Sequence, residues 1–370
     1  MSVVCRRALH VSLEALPDAS YFPVLPWRAR QMSGASAMAL RRNEVVVVCG
    51  ASAGIGRAAA VAFARRGAKV ALLARGRVGL AAAQAEVEAA GGQAWVQALD
   101  VANAEQVEAA AARVEVELGE IDIWVNNAML TVFSPVAQMA ADEYRRVTEV
   151  TYLGMVHGTC AALRHMRPRN RGTIVQVGSA LAYRAIALQS AYCAAKFACR
   201  GFTDALRVEL MQEKSRIHLT MVHLSAFNTP QFEWARTRME CQPQPVPPIF
   251  QPEIAARGIV WAAYHRRREV CVGFPAVKAI YGNKLLPRFA DWVLSRQGYD
   301  SQQSDQPLPV GRPDNLFTAV EQDMGSHGRF DQQARDFSWQ LWLTMHRRLL
   351  TLGLFILLAI MLLIGIGLLG

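Results

Sequence analysis

From Glu44 onward, short apolar runs alternate with longer stretches in which apolar residues recur at helical spacing. Val45 to Cys49 is a continuous β-branched run, Gly54 to Arg66 an Ala-rich helix closed by Gly67, and Lys69 to Ala74 a second apolar strand, which together make a βαβ unit. The alternation predicts a helix over Val78 to Ala90, a strand over Ala94 to Leu99, a helix over Ala104 to Leu118 and a strand over Ile121 to Asn126. A long helical stretch, Asp142 to Met166, precedes a strand over Thr173 to Val177, a helix over Ala191 to Leu210 and a strand over Ile217 to Leu224; Val270 to Phe274 offers a seventh strand. Strands apolar on both faces belong in a parallel sheet covered by helices, so the fold class is α/β, a doubly wound Rossmann-type sheet of about seven strands.

Three segments break the pattern. Asn228 to Pro252 carries six prolines among Phe232, Trp234 and Phe250 and reads as a surface loop or lid. Ser301 to Phe337 is rich in Gln, Asp, Gly and Pro, which predicts a linker or loosely folded appendage. Leu349 to Gly370 is 22 residues without a charge, about 33 Å long as a helix, which suits a single transmembrane span. Arg347 and Arg348 flank it, with Trp339 and Trp342 just before, so the catalytic domain is expected in the cytoplasm and the chain on a membrane by a C-terminal anchor. The predicted organisation is an N-terminal extension or misassigned start over 1–42, a catalytic domain over 43–300, a polar juxtamembrane segment over 301–348 and the span over 349–370.

Composition adds exclusions. The chain has 370 residues, 52% of them hydrophobic, enough for a large core. Its net charge of +10 comes from dispersed arginines without a basic recognition helix or aromatic platform, which argues against a nucleic-acid partner. The seven cysteines are scattered without CxxC or other metal spacing, so neither a disulfide framework nor a metal site is expected and a reducing compartment fits.

The chemistry gathers at strand ends. Gly50-Ala51-Ser52-Ala53-Gly54-Ile55-Gly56 follows the first strand and opens a helix, where close backbone approach and the positive end of the helix receive a pyrophosphate. The second strand ends Leu72-Leu73-Ala74-Arg75, a cation where an NAD-preferring site has an acid, so NADP is expected in preference to NAD, with Arg75, helped by Arg77, forking onto a 2'-phosphate. Tyr192 and Lys196 stand four apart on one helix face, which puts an ammonium beside a phenol and favours its ionised form. Ser179 lies at the end of a buried strand, thirteen residues before Tyr192.

Over roughly Asn43 to Phe274 these motifs resemble the short-chain dehydrogenase/reductase family. The resemblance implies that Gly50, Ser52, Gly54, Ile55 and Gly56 cradle the cofactor, that Asp100 with Val101 holds the adenine, that Asn127 of Asn126-Asn127-Ala128 lines the cofactor site, and that Thr229 sits near the nicotinamide. It maps the catalytic residues to Ser179, Tyr192 and Lys196, with Tyr192 and Lys196 also touching the cofactor, and implies dimers or tetramers. The expected activity is hydride exchange between NADP(H) and a carbonyl or secondary alcohol, here a lipophilic one. Departures are Cys49, Met129, Ser225-Ala226 and above all Thr151, where many relatives have an Asn that holds a relay water. A second reading, a catalytically silent NADP-binding membrane scaffold, follows from Thr151 and the polar segment.

Overall fold

The computed structural model describes residues 43–347 and 350–351. The N-terminal extension and almost all of the expected membrane span lie outside these residues; among those described, no helix is long and apolar enough to cross a membrane.

The seven sheet strands are β1 (Val45–Cys49), β2 (Lys69–Ala74), β3 (Gln93–Ala98), β4 (Ile121–Asn126), β5 (Thr173–Ser179), β6 (His218–Leu224) and β7 (Glu269–Val272). They form one all-parallel sheet in the order β7-β6-β5-β4-β1-β2-β3. Every residue of β1 is buried, as a run of four valines and a cysteine requires of a strand covered on both faces. The chain builds outward from β1 to β3, then crosses to the other side for β4. That reversal opens a crevice at the carboxyl ends of β1 and β4, the place where open parallel sheets take ligands.

The helices are α1 (Gly54–Ala64), α2 (Arg77–Ala89), α3 (Ala104–Glu117), α4 (Ala141–Thr148), α5 (Gly154–Met166), α6 (Ser190–Gln212), the single turn α7 (Gln231–Trp234), α8 (Pro252–Tyr264), α9 (Phe274–Leu285) and α10 (Pro287–Gln297). On one face α1 and α8 pack Ala59, Phe63, Ile254 and Ile259 against the sheet; on the other α3, α5 and α6 supply Val107, Ala111, Ala162 and Leu206. The long predicted helix from Asp142 is interrupted by a π-helical stretch at Glu149–Leu153. There Thr151, fully buried, accepts from Leu130 N at 3.0 Å and donates to Leu130 O at 3.2 Å.

Two expectations from composition are corrected. Asn228 to Pro252 is not a surface loop: Phe232, Ile249 and Phe250 are buried, and Phe232 packs with Phe133, Ala235, Ile249 and Phe330 in a separate small core. Nor is Ser301 to Phe337 a loose linker. Gln303–Pro307 pairs antiparallel with Cys241–Pro243, Ala334–Arg335 pairs parallel with Ile249–Phe250, and Leu316 and, just beyond the segment, Leu341 enter the main cores. The polar composition misleads because few apolar anchors suffice when the backbone finds partners elsewhere in the chain.

Candidate active site

A cavity of about 740 Å³ runs from the glycine loop, past the ends of β4 and β5, to the hairpin of α9 and α10. Gly50, Ser52, Gly54, Ile55, Arg75, Asp100, Val101, Asn127, Ser179, Tyr192, Lys196 and Thr229 all line it. Of the residues expected to touch the cofactor, Gly56 and Arg77 are not in its wall. A Cβ at Gly56 would lie 2.0 Å from Gly50 O and 2.5 Å from Asn127 Nδ2, so Gly56 lets α1 pack directly against the loop. Asn127 Nδ2 donates to Gly50 O at 3.1 Å, tying the end of β4 to the end of β1. The turn, the helix start behind it and a groove of this length fit a dinucleotide.

At the middle of the cavity, Ser179, Tyr192 and Lys196 converge. Ser179 ends β5, and its hydroxyl accepts from Leu181 N at 3.1 Å and lies close enough to the Tyr192 phenol to influence its acidity. Lys196 Nζ donates to Val177 O at 2.7 Å and lies 5.6 Å from the centre of the Tyr192 ring. Burial raises the Tyr192 phenol above its ordinary value, and the nearby Ser179 hydroxyl opposes this. Burial lowers Lys196. Both shifts favour the neutral forms. The lowering of Tyr192 expected from the neighbouring lysine is therefore not found in this structure: the phenol stands above its ordinary value, Ser179 offsets the rise only in part, and the lysine is committed to a backbone carbonyl and desolvated itself.

Thr151 does not reach the cavity wall, where Val150 stands instead. Its hydroxyl, spent on both backbone groups of Leu130, does not offer the water site expected at that position. Behind Ser179, His223 is fully buried with Nδ1 3.3 Å from Ser179 O and Nε2 3.3 Å from Glu269 Oε2. Tyr183 Oη donates to the same carboxylate at 2.5 Å. The His223 contact first, then Tyr183 and Arg268, hold the Glu269 carboxyl down to about 2. These groups brace the end of β5 from β6 and β7, and no local motif announces them.

At the adenosine end, Arg75 is drawn into a network. Its guanidinium donates to the carbonyls of Leu316 and Phe317, each at 3.3 Å, and to that of Asn315. Burial, then the neighbouring Arg146 charge, lowers Arg75, and Asp100 opposes this. Asp100 pairs with Arg146 and accepts from Ala102 N at 3.0 Å. Arg57, 2% exposed, pairs with Glu86 at 2.8 Å and with Asp323. The 315–325 segment thus forms a strap over the glycine loop, and sequence reading missed it because its partners lie some 240 positions away. The opposite end of the cavity is mainly apolar, with Ile186, Phe232, Trp234, Leu286, Phe289 and Val293 in its wall.

The model of the family described as short chain dehydrogenase matches residues 44–240. The protein of Bacillus subtilis named uncharacterized oxidoreductase YxnA is 34% identical over 291 residues, covering 78% of this chain and 81% of the relative. Putative oxidoreductase SadH of Mycobacterium tuberculosis is 34% identical over 241 residues, 63% of this chain and 87% of its own. Among solved structures, an alcohol dehydrogenase from the archaeon Thermococcus sibiricus, complexed with 5-hydroxy-NADP, superposes with a TM-score of 0.54 at 25% identity, over 62% of this chain and 95% of that one.

Proposed function

Because this chain belongs to the short chain dehydrogenase family and is an oxidoreductase of that type, we propose that it interconverts a lipophilic carbonyl and its secondary alcohol with NADP(H). The observation that carries the reading is the convergence of Ser179, Tyr192 and Lys196 on one cavity with the glycine loop. When bound, the dinucleotide supplies or accepts the hydride. The chain's own residues do the rest. The Ser179 hydroxyl orients the substrate oxygen, and the Tyr192 phenol, in the same cavity wall, gives that oxygen a proton on reduction and takes it back on oxidation. Lys196, buried against Val177 O, positions the phenol and holds the ribose side of the groove. Gly50, Ser52, Gly54 and Ile55 take the pyrophosphate, Asp100, Val101 and Asn127 the adenine side, and Thr229 the nicotinamide side.

NADP is favoured by the absence of an acid at the end of β2, by Arg75 there, and by likeness to an enzyme solved with an NADP derivative. A lipophilic substrate is supported by the apolar end of the cavity. An anchor formed by 349–370, with the catalytic domain in the cytoplasm, rests on the uncharged composition of that segment and its arginine flank. The test is a panel of matched lipophilic and water-soluble ketones, with NADPH and NADH oxidation followed by the absorbance of the reduced ring. Turnover of the lipophilic members with NADPH is expected; turnover of soluble members alone rejects the substrate class, and no hydride transfer with any member rejects the activity.

A further inference from the structure

At the junction of β2 and α2 the strap delivers a carboxylate to the donors that an anion would use. Helix α2 begins at Arg77, and its N-cap, Gly76, has no side chain with which to cap it. Glu321 Oε2 accepts from Arg77 N at 2.9 Å and from Val78 N at 3.3 Å. The neighbouring donors are occupied by the same strap. Arg75 is spread over the carbonyls of Asn315, Leu316 and Phe317, and Gly54 N, at the start of α1, donates to Gly325 O at 3.0 Å. Arg57 is held by Asp323.

Two helix amides and a guanidinium are the donor set a phosphate seeks. Here they hold a carboxylate and backbone carbonyls, brought from 240 or more residues away. A dinucleotide carrying a 2'-phosphate must displace the Glu321 carboxylate or lie beside it, like charge against like. One with a free 2'-hydroxyl adds no charge at that point and can donate to the carboxylate.

We infer that Glu321 is a cofactor-selectivity residue, a tethered competitor of the 2'-phosphate that holds NADP(H) affinity down relative to NAD(H) and is opposed by Arg75. The inference rests on the dinucleotide reading above and adds a determinant outside the matched family region, residues 44–240.

The experiment uses the full chain and isothermal titration of NADP⁺ and NAD⁺ into the wild type and Glu321→Gln. Glutamine keeps an acceptor oxygen for the two amides and removes the charge. The expected result is an NADP⁺ Kd about tenfold lower, with the NAD⁺ Kd changed by less than about twofold. Glu321→Lys, which reverses the charge, should raise the NADP⁺ preference further. An NADP⁺ Kd that stays the same or rises in Glu321→Gln, or equal tightening for both dinucleotides, overturns the assignment while leaving the dinucleotide reading standing. Failure of both dinucleotides to bind to the wild type overturns this inference and the dinucleotide reading together.

Discussion

Between Val45 and Asn126 the cavity wall is made by neighbours in sequence: a strand, its glycine turn, the helix that turn opens, and the next parallel strand. Beyond Cys241 the wall is held by partners far away, such as Asn315 N on Trp234 O and Arg75 on Leu316 O. The first region encodes its shape in local rules of propensity, turn conformation and periodicity. The second consists of short pairings and side-chain ties that acquire meaning only once the first has folded. Both close the same cavity, so a change in either should alter ligand binding, but a local wall should fail through backbone geometry and a remote one through lost ties.

The largest effect is expected where the two walls meet the chemistry. Tyr192→Phe should reduce turnover by about 10³-fold or more while dinucleotide affinity, measured by titration, stays within about threefold; undiminished turnover would remove Tyr192 from the mechanism. Next comes the local wall itself. Gly56→Ala would put a Cβ 2.0 Å from Gly50 O, and it should lower stability by about 3 kcal/mol and weaken dinucleotide binding strongly; a variant with unchanged thermal midpoint would show that α1 can slide.

The remote wall is probed at Arg57, whose nearly buried guanidinium joins Glu86 of α2 to Asp323 of the strap. Arg57→Met should cost about 2 kcal/mol in urea unfolding and expose the strap to limited proteolysis. Stability loss without new cleavage near 315–325 would mean that the strap is held by its backbone ties alone.

The smallest effect concerns the bracing behind Ser179. The Glu269 carboxyl sits at about 2, below its ordinary 4.5, chiefly because of His223. A depressed carboxyl contributes stability above its unfolded value and loses it as pH falls toward its folded one, so this contribution is complete above about pH 5 and fades toward pH 2. Glu269→Gln should therefore destabilise by about 1–2 kcal/mol at pH 7, with the gap from wild type narrowing below pH 4.5. A gap independent of pH would place the effect in packing rather than charge.

How much of this was legible beforehand differs by region in the same way. All seven strands of the main sheet, the glycine turn and the i, i+4 pair Tyr192 and Lys196 follow from periodicity and spacing, because each rests on contacts within a strand, a turn or one face of a helix, whereas the joining of Ser179 to that pair was implied by the family resemblance. The π-helical break at Thr151 was hidden, since nothing in Thr151-Tyr152-Leu153-Gly154 forbids an ordinary helix and the hydroxyl's partner, Leu130, lies 21 residues away. Phe232 and Phe250 looked like loop aromatics because six prolines obscured any period, yet both are buried once Phe330 and α8 stand beside them.

The order of residues alone determined the strands and helices of the doubly wound sheet, the turn that faces a pyrophosphate, and the phenol and amine on one helix face, since each depends on interactions a few residues long. Tertiary structure alone decided that a polar stretch near the C-terminus folds back as a strap, that Arg75 spends its donors on that strap, and that Glu321 takes the first amides of α2. Such ties cross some 240 positions of chain, and no period or propensity records a contact whose two halves share nothing but their place in the folded molecule.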